Sequence, residues 1–453
     1  PGHVRFLRNM LAGVGGVDAC LFVVAATEGW KPQSEEHLRI LELVGVRHGI
    51  IALTKVDLVD DEWRELAELD VADHVAGTFL EGAVVVPVST VTGAGLDDLR
   101  IALDRLVAEA PGAHDRGRPR LWLDRVFAAK GSGTVVTGTL TGGRVSVNDQ
   151  LEANGLPVRV RGIQSLGRSH DDIGPGNRVA LNLAGVEHSE LERGDAVIEP
   201  GRWRPTARFD ASIHVLASLD HEVSRRGAYA VYIGSGEHSV RVRVLGLVAL
   251  APGTDGFVRL HLQRPLPLLP GDRFILRESG RNETVGGGEV LDIAPVRPAS
   301  RATPDRAVER VIVERGWVDV EDLEALTGER RVPTIGRWVT APGEVEAAIA
   351  GVRRAVVDAG PLGLDVAHLG ERERAALALA DDMAVVIGRV RLHEVRDALA
   401  DHPYVVALRE GALAPPPPDG VDRATLREPV SYTHLRAHET KANLVCRLLL
   451  EKK

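Results

Sequence analysis

Cysteine is nearly absent from this chain: Cys20 and Cys446 are the only two in 453 residues. Two cysteines cannot build a disulfide framework or a multi-cysteine metal site, and a reducing cytoplasm is the expected setting. Aromatic residues make up only 4%, so cores must come from Val, Leu, Ile and Ala. No run approaches the roughly 18 consecutive apolar residues of a membrane span, and no secretion signal is expected at Pro1. Before residue 429 the histidines are scattered without H-x-x-x-H spacing, which argues against a zinc site. What remains is ordinary for a soluble globular chain: 44% hydrophobic, 26% charged and a formal charge of −9. The length predicts about three domains.

Residues 429–453 (PVSYTHLRAHETKANLVCRLLLEKK) resemble a translated sequencing-library adapter running into a poly-A end. They are set aside as a scar would be. Cys446 leaves the count with them, and the remaining chain is more acidic than its summary charge.

Residues 1–112 alternate strand-like and helix-like runs. CLFVVAA (20–26), HGIIALTK (48–55) and AVVVPVS (83–89) suit strands buried on both faces. SEEHLRILELV (34–44), DEWRELAELDVADHV (61–75) and GLDDLRIALDRLVAE (95–109) have helical spacing, with Ser34 a predicted N-cap. This alternation predicts βαβ units and a parallel sheet. A polar linker, PGAHDRGRPR, follows at 111–120. Short β-rich runs punctuated by Gly, Asn and Asp then predict two barrels or sandwiches, 119–202 and 205–297, split near WRPTA (203–207). TVGGGEVLDI (284–293) reads as turn glycines closing the second. Helical runs return over 301–413 with short strand-like stretches such as MAVVIG, a pattern that fits winged-helix modules. A further unit starts at 414–428, after the Pro-rich APPPPD joint.

TKVD (54–57) closes an apolar strand and precedes a helix, which places it at the C-terminal edge of a parallel sheet, where ligands bind. An Asp there can accept from the N1–H and exocyclic amine of guanine, and the Lys stem can lie over the flat base. One strand later, VSTVTGAGLDDL (88–99) puts Ser89 at the next strand end, its backbone N–H expected to face a base carbonyl oxygen.

The order PGH, then about 50 residues, then TKVD, then VS on the following strand resembles the translational GTPase family. That resemblance implies GTP and Mg²⁺ as cofactors. It gives His3 the role of orienting the water that attacks the γ-phosphate, as positioning residues do in phosphoryl transfer. Pro1 and Gly2 would lie beside that phosphate, and Thr54, Lys55, Asp57, Ser89 and Thr90 would contact guanine. No G-x-x-x-x-G-K-[ST] occurs, and AKGSGTVVTG (129–138) sits in a β-rich run, so it is not read as a phosphate loop. In the family the phosphate loop, first switch and magnesium Asp precede PGH. They are therefore expected upstream of Pro1, and residues 1–453 alone are not expected to bind or hydrolyse GTP.

LDRVFAAKGSGTVVTGTLTGGRVSVNDQL, VRVRGIQSLG and GNRVALNLAGVEHSELERGD are similar to the second domain of selenocysteine-specific elongation factors. The Thr of TKVD and the helical sequence after the barrels point the same way. The resemblance covers about 1–428. It implies a multidomain fold: a partial α/β P-loop GTPase domain, two β-barrels and C-terminal winged-helix modules. It implies an aminoacyl pocket lined by Asp124, Arg125 and Arg178, in which two guanidiniums favour a selenolate and Asp124 holds one of them. The implied partners are selenocysteinyl-tRNA, the ribosome and a selenoprotein mRNA hairpin read by a module beyond residue 428, in a cytoplasmic monomer. Residues 119–300 are close to charge balance between acidic flanks, which marks the barrels as the place to grip an RNA backbone. The alternatives are another translational GTPase, of elongation factor Tu or initiation-factor gamma type, and a non-hydrolysing RNA-binding scaffold derived from one.

Overall fold

The computed structural model describes residues 10, 16–129, 133–393 and 403. Pro1, Gly2, His3 and the expected adapter segment lie outside that set. The described residues divide into two compact units, one ending at Arg310 and including Glu321–Arg330, the other formed by the rest.

The first unit opens with strands β1 (Ala19–Ala25), β2 (His48–Thr54) and β3 (Val85–Val88), parallel in that order. Helices α1 (Pro32–Leu43), α2 (Asp61–Val75) and α3 (Leu96–Glu109) alternate with them. The central strand β2 is covered on both faces, which is why it reads as an apolar run. Strand β1, expected to be buried on both, buries one face only: Leu21 and Val23 stand exposed on the other. Phe22, Val24, Ile51 and Leu53 pack with Leu38, Leu41 and Val71, while Ile50, Ala52, Val86 and Val88 pack with Ala102. Helix α2 starts where Asp60 accepts the Trp63 N–H at 2.8 Å. Helix α1 starts earlier than its acidic run suggested: Lys31, not Ser34, is the N-cap, because Pro32 is preset for the first turn.

The next strands are β4 (Arg120–Ala129), β5 (Gly133–Thr141), β6 (Val145–Ser146), β7 (Gln150–Ala153), β8 (Leu156–Ser165), β9 (Arg168–His170), β10 (Asp172–Ile173), β11 (Arg178–Ala184) and β12 (Ala196–Ile198). They run in the order β11-β5-β4-β12-β7-β8, and β8 pairs with β11 to close a six-stranded ring. Leu121, Leu123, Val136, Val160 and Leu181 fill it.

The second barrel uses β13 (Thr206–Val215), β14 (Val223–Ser224), β15 (Tyr229–Ile233), β16 (Gly236–Val244), β17 (Ala249–Leu250), β18 (Asp255–Leu266), β19 (Arg273–Glu278) and β20 (Glu283–Asp292). It closes in the order β13-β18-β16-β15-β19-β20. The triple glycine expected in a turn lies inside β20. A Cβ at Gly286 would stand 2.3 Å from the His214 carbonyl oxygen, and one at Gly288 2.0 Å from that of Ser212. Close strand approach, not a turn, selects glycine there.

Arginines tie these parts together. Arg277 on β19 donates to Glu36 of α1 at 3.1 Å. Arg120 makes two 2.7 Å bonds to Asp272 of the second barrel and lies over Trp122 and Trp203. Arg118 also covers Trp203, 4.5 Å from the ring centre. Its guanidinium donates to the carbonyls of Glu324 and Ala325 at 3.0 and 3.1 Å. Burial and the neighbouring Arg120 bring the Arg118 pKa down to about 10.

Beyond the barrels come α4 (Val308–Arg315), β21 (Trp317–Asp319), α5 (Val320–Thr327), β22 (Trp338–Thr340), α6 (Glu344–Asp358), β23 (Leu364–Asp365), α7 (Glu371–Leu377), β24 (Met383–Val386) and β25 (Arg389–Leu392). In the second unit β21 pairs with β22, and β23, β25 and β24 form a small antiparallel sheet. Val352 and Val356 of α6 pack with Met383 and Val390 of that sheet.

Candidate functional site

Two constellations stand out, one at the parallel-sheet edge and one on the first barrel. Ala25, Thr54 and Val88 share one level of register, so the segments leaving β1, β2 and β3 emerge side by side. Thr54 turns its hydroxyl to the Val24 carbonyl at 3.2 Å. Lys55 takes the left-handed conformation, φ 60°, which turns the chain sharply and leaves Asp57 exposed in a short 3₁₀ turn. The Lys55 ammonium sits 2.9 Å from the Glu28 carboxylate. The hydrogen bond and charge of Lys55 hold the Glu28 carboxyl below its ordinary range. Glu28, on the loop after β1, was not singled out from sequence; its place at the same sheet edge is the signal that finds it.

Ser89 is buried, and its hydroxyl oxygen accepts the N–H groups of Val91 and Thr92, each at 3.2 Å. Its own N–H is donated to the Ala94 carbonyl at 2.9 Å. The expectation that this amide faces a base therefore fails in this geometry: Ser89 braces the loop, and exposed Thr90 stands at its outer edge. Gly95 makes the loop possible. Its φ is +70°, and a Cβ would fall 1.9 Å from the Pro87 carbonyl oxygen.

On the first barrel, β4 bulges between Leu123 and Arg125: Leu123 opposes Gly138 and Arg125 opposes Thr137, leaving Asp124 as the extra residue. Gly138 permits this, since a Cβ there would meet the Trp122 carbonyl oxygen at 2.0 Å. The Asp124 carboxylate accepts the Thr137 hydroxyl at 2.6 Å and the Arg178 guanidinium through both nitrogens, Nη2 at 3.1 Å. Asp124 is 17% exposed and Arg178 57%. Arg125 lies exposed and makes no ion pair or hydrogen bond among the described residues. So Asp124 and Arg178 are joined, Arg125 adds an exposed cation on the strand beside them, and Thr137 is a member that sequence reasoning missed. Among the described residues, no cluster of three or more His, Cys, Asp or Glu could hold a metal.

Residues 1–109 match the elongation factor Tu GTP binding domain family, and residues 210–297 match the selenocysteine-specific elongation factor β-barrel domain family. The selenocysteine-specific elongation factor of Desulfomicrobium baculatum is 39% identical over 294 residues, covering 64% of this chain and 46% of the relative. That of Escherichia coli (strain K12) is 33% identical over 340 residues, covering 71% and 53%. The chain thus spans about half the length of these curated relatives. Among solved structures, a bacterial selenocysteine-specific elongation factor, EF-Sec, shares the fold with a TM-score of 0.72 at 24% identity, covering 90% of this chain and 72% of that one. The apo elongation factor SelB from Methanococcus maripaludis shares it at 0.57 and 23% identity, over 65% and 69%. Over these spans the chain is similar to selenocysteine-specific elongation factors, with a first domain that matches the GTP binding domain of elongation factor Tu.

Proposed function

We propose that the protein is the body of a factor that binds GTP, carries selenocysteinyl-tRNA to the ribosome during elongation, and hydrolyses GTP there. The observation that carries this reading is the Asp124–Arg178 pair at the β4 bulge with Arg125, unpaired among the described residues, beside it. A selenol is largely ionised near neutral pH, whereas a cysteine thiol, pKa about 8.5, is largely protonated and a serine hydroxyl is neutral. An Arg178 held by Asp124, together with the exposed Arg125, is an anion receptor that rewards the selenolate alone.

The sheet edge suits guanine. Asp57 is exposed and free to accept from the N1–H and amine of the base, and the left-handed Lys55 presents its stem next to it. Thr90 takes over the amide contact first assigned to Ser89, while Thr54 and Ser89 hold the loops. His3 would orient the attacking water, and Pro1 and Gly2 would sit by the γ-phosphate. Mg²⁺, which neutralises phosphate charge when bound, would be held by residues preceding these.

The outer face of the second barrel supports a tRNA backbone contact. Arg241, His261 and Arg208 are cross-strand neighbours in one row. After burial itself, the nearby Arg241, Arg208, Arg259 and Arg243 push the His261 pKa down. Such a concentration of cations suits phosphates. The mRNA hairpin would be read by a module beyond residue 428, and the factor would act as a cytoplasmic monomer.

The test is Arg125→Ala with Arg178→Ala in the full-length gene product, measuring protection of selenocysteinyl-tRNA and seryl-tRNA esters from hydrolysis. Loss of protection confined to the selenocysteinyl ester is expected. Unchanged protection of both would sink the assignment.

A further inference from the structure

The bulge that displays Asp124 is clamped from the other barrel. Leu123, immediately before it, is fully buried. Its N–H is donated to the Asp195 carbonyl at 2.8 Å, and its carbonyl accepts the Gly194 N–H at 2.9 Å. The same carbonyl accepts a second bond, 2.6 Å long, from the hydroxyl of Ser235. Ser235 is 4% exposed and stands in the tight turn between β15 and β16 of the second barrel.

That turn fits against β4 with no room to spare. Gly234 has φ +59°, and a Cβ on it would lie 2.3 Å from the Trp122 ring. A Cβ on Gly194 would lie 2.7 Å from the Cα of Gly236. Arg264, also of the second barrel, donates to the Asp195 carboxylate at 2.5 Å, and Arg193 reaches the Ser235 carbonyl at 3.2 Å. The carbonyl just before the bulge in β4 is thus fixed by a side chain from a different domain. The residue after it is the one whose carboxylate holds Arg178.

We infer that Ser235 is a positioning residue for the Asp124–Arg178 pair: its hydroxyl sets the height of the bulge, so the second barrel tunes the aminoacyl selectivity of the first. The inference rests on the pocket reading above. A short buried bond to a carbonyl has a narrow optimum of distance and angle, and a buried acceptor that loses one of two donors lets the strand relax. A relaxed β4 moves Asp124 away from the line joining Thr137 and Arg178. No comparable bond crosses from the second barrel to Asp124 or Arg125 themselves among the described residues.

The experiment compares four variants of the full-length gene product: Ser235→Ala, Ser235→Cys, Asp272→Asn and Arg178→Ala. The readout is the ratio of selenocysteinyl-ester to seryl-ester protection, with thermal unfolding recorded in parallel. Asp272→Asn loosens the same strand from the same barrel at Arg120, away from the bulge, and so reports generic weakening. Ser235→Ala is expected to lower the ratio about five- to tenfold, the loss of one buried hydrogen bond. Asp272→Asn is expected to leave it within twofold of the parent. Ser235→Cys keeps a weaker donor and should fall between; it carries the test if the alanine variant does not fold. A parental ratio in the Ser235 variants while Arg178→Ala abolishes selectivity would overturn the inference and leave the pocket intact. Equal losses in Ser235→Ala and Asp272→Asn would also overturn it, as loosening without positioning. No effect of Arg178→Ala would overturn the pocket reading itself, and this inference with it.

Discussion

Arg178 and Asp124, 54 residues apart in sequence, meet as a two-pronged pair across the first barrel, with the Thr137 hydroxyl completing the carboxylate's shell at 2.6 Å. Asp124→Asn keeps the shape and removes the charge. Selenocysteinyl-ester protection should fall about tenfold, since a fork between guanidinium and carboxylate is lost. The unfolding free energy should change by about 1 kcal/mol or less, because Arg178 is half in water. Ester protection and urea denaturation on the same variant separate the two effects.

Asp210 and Arg259 form a pair of the opposite kind, both nearly fully buried and joined by bonds of 2.6 and 2.8 Å. Asp210→Ala strands a buried guanidinium on the outer wall of the second barrel and should cost about 3–5 kcal/mol in chemical denaturation. The double variant Asp210→Leu with Arg259→Met removes both charges and should recover most of that loss. A double variant as unstable as the single one would show that the Arg259 bond to the Arg297 carbonyl carries the energy.

Gly95→Ala places a methyl group on the Pro87 carbonyl at a left-handed position. The loop from Ser89 to Gly95 must open, and a destabilisation of about 2 kcal/mol or more follows from strain of this kind. Limited proteolysis should cut the variant between β3 and α3, where the parent is protected. Gly93→Ala is the control, for it also has positive φ but meets nothing within 4 Å, and its loop should resist cleavage better.

His238 is buried, with Nε2 lacking a partner among the described residues. Burial first, and Arg264 second, lower its pKa to about 4. The unfolded chain takes up this proton near pH 6.5 while the native state refuses it, so the stabilisation is complete above about pH 6.5 and drains away as pH falls toward 4. Over that window the site accounts for up to about 3 kcal/mol. Urea midpoints at pH 7 and pH 4.5 should differ less in His238→Gln than in the parent. Identical slopes would mean that the imidazole is hydrated in solution.

Much of this architecture was legible because its signals are local. Continuous apolar runs marked β1 to β3, and turn residues at short spacing marked the barrels. What escaped depends on contacts between distant segments. The Asp124 bulge needs Gly138 across the strand and Leu123 gripped from behind, and neither leaves a periodicity. Ser89 looked like an amide donor from its place at a strand end; only the folded loop shows that Ala94 has claimed that N–H. The glycines of β20 looked like turn residues because composition cannot distinguish a left-handed bend from two backbones pressed together. Helix α1 began at Pro32 because a preset φ outweighed a serine two residues on.

The reach of Arg118 to Glu324 and Ala325 has a consequence for biogenesis. Its acceptors lie 206 and 207 residues downstream. At 5–20 residues per second, a ribosome needs roughly 10–40 s after making Arg118 to make them. Throughout that interval the guanidinium is without these two acceptors, and the face of Trp203 is there for it to rest on once that residue has emerged. The end of α5 therefore completes the Arg118 clamp only after both barrels have been synthesised.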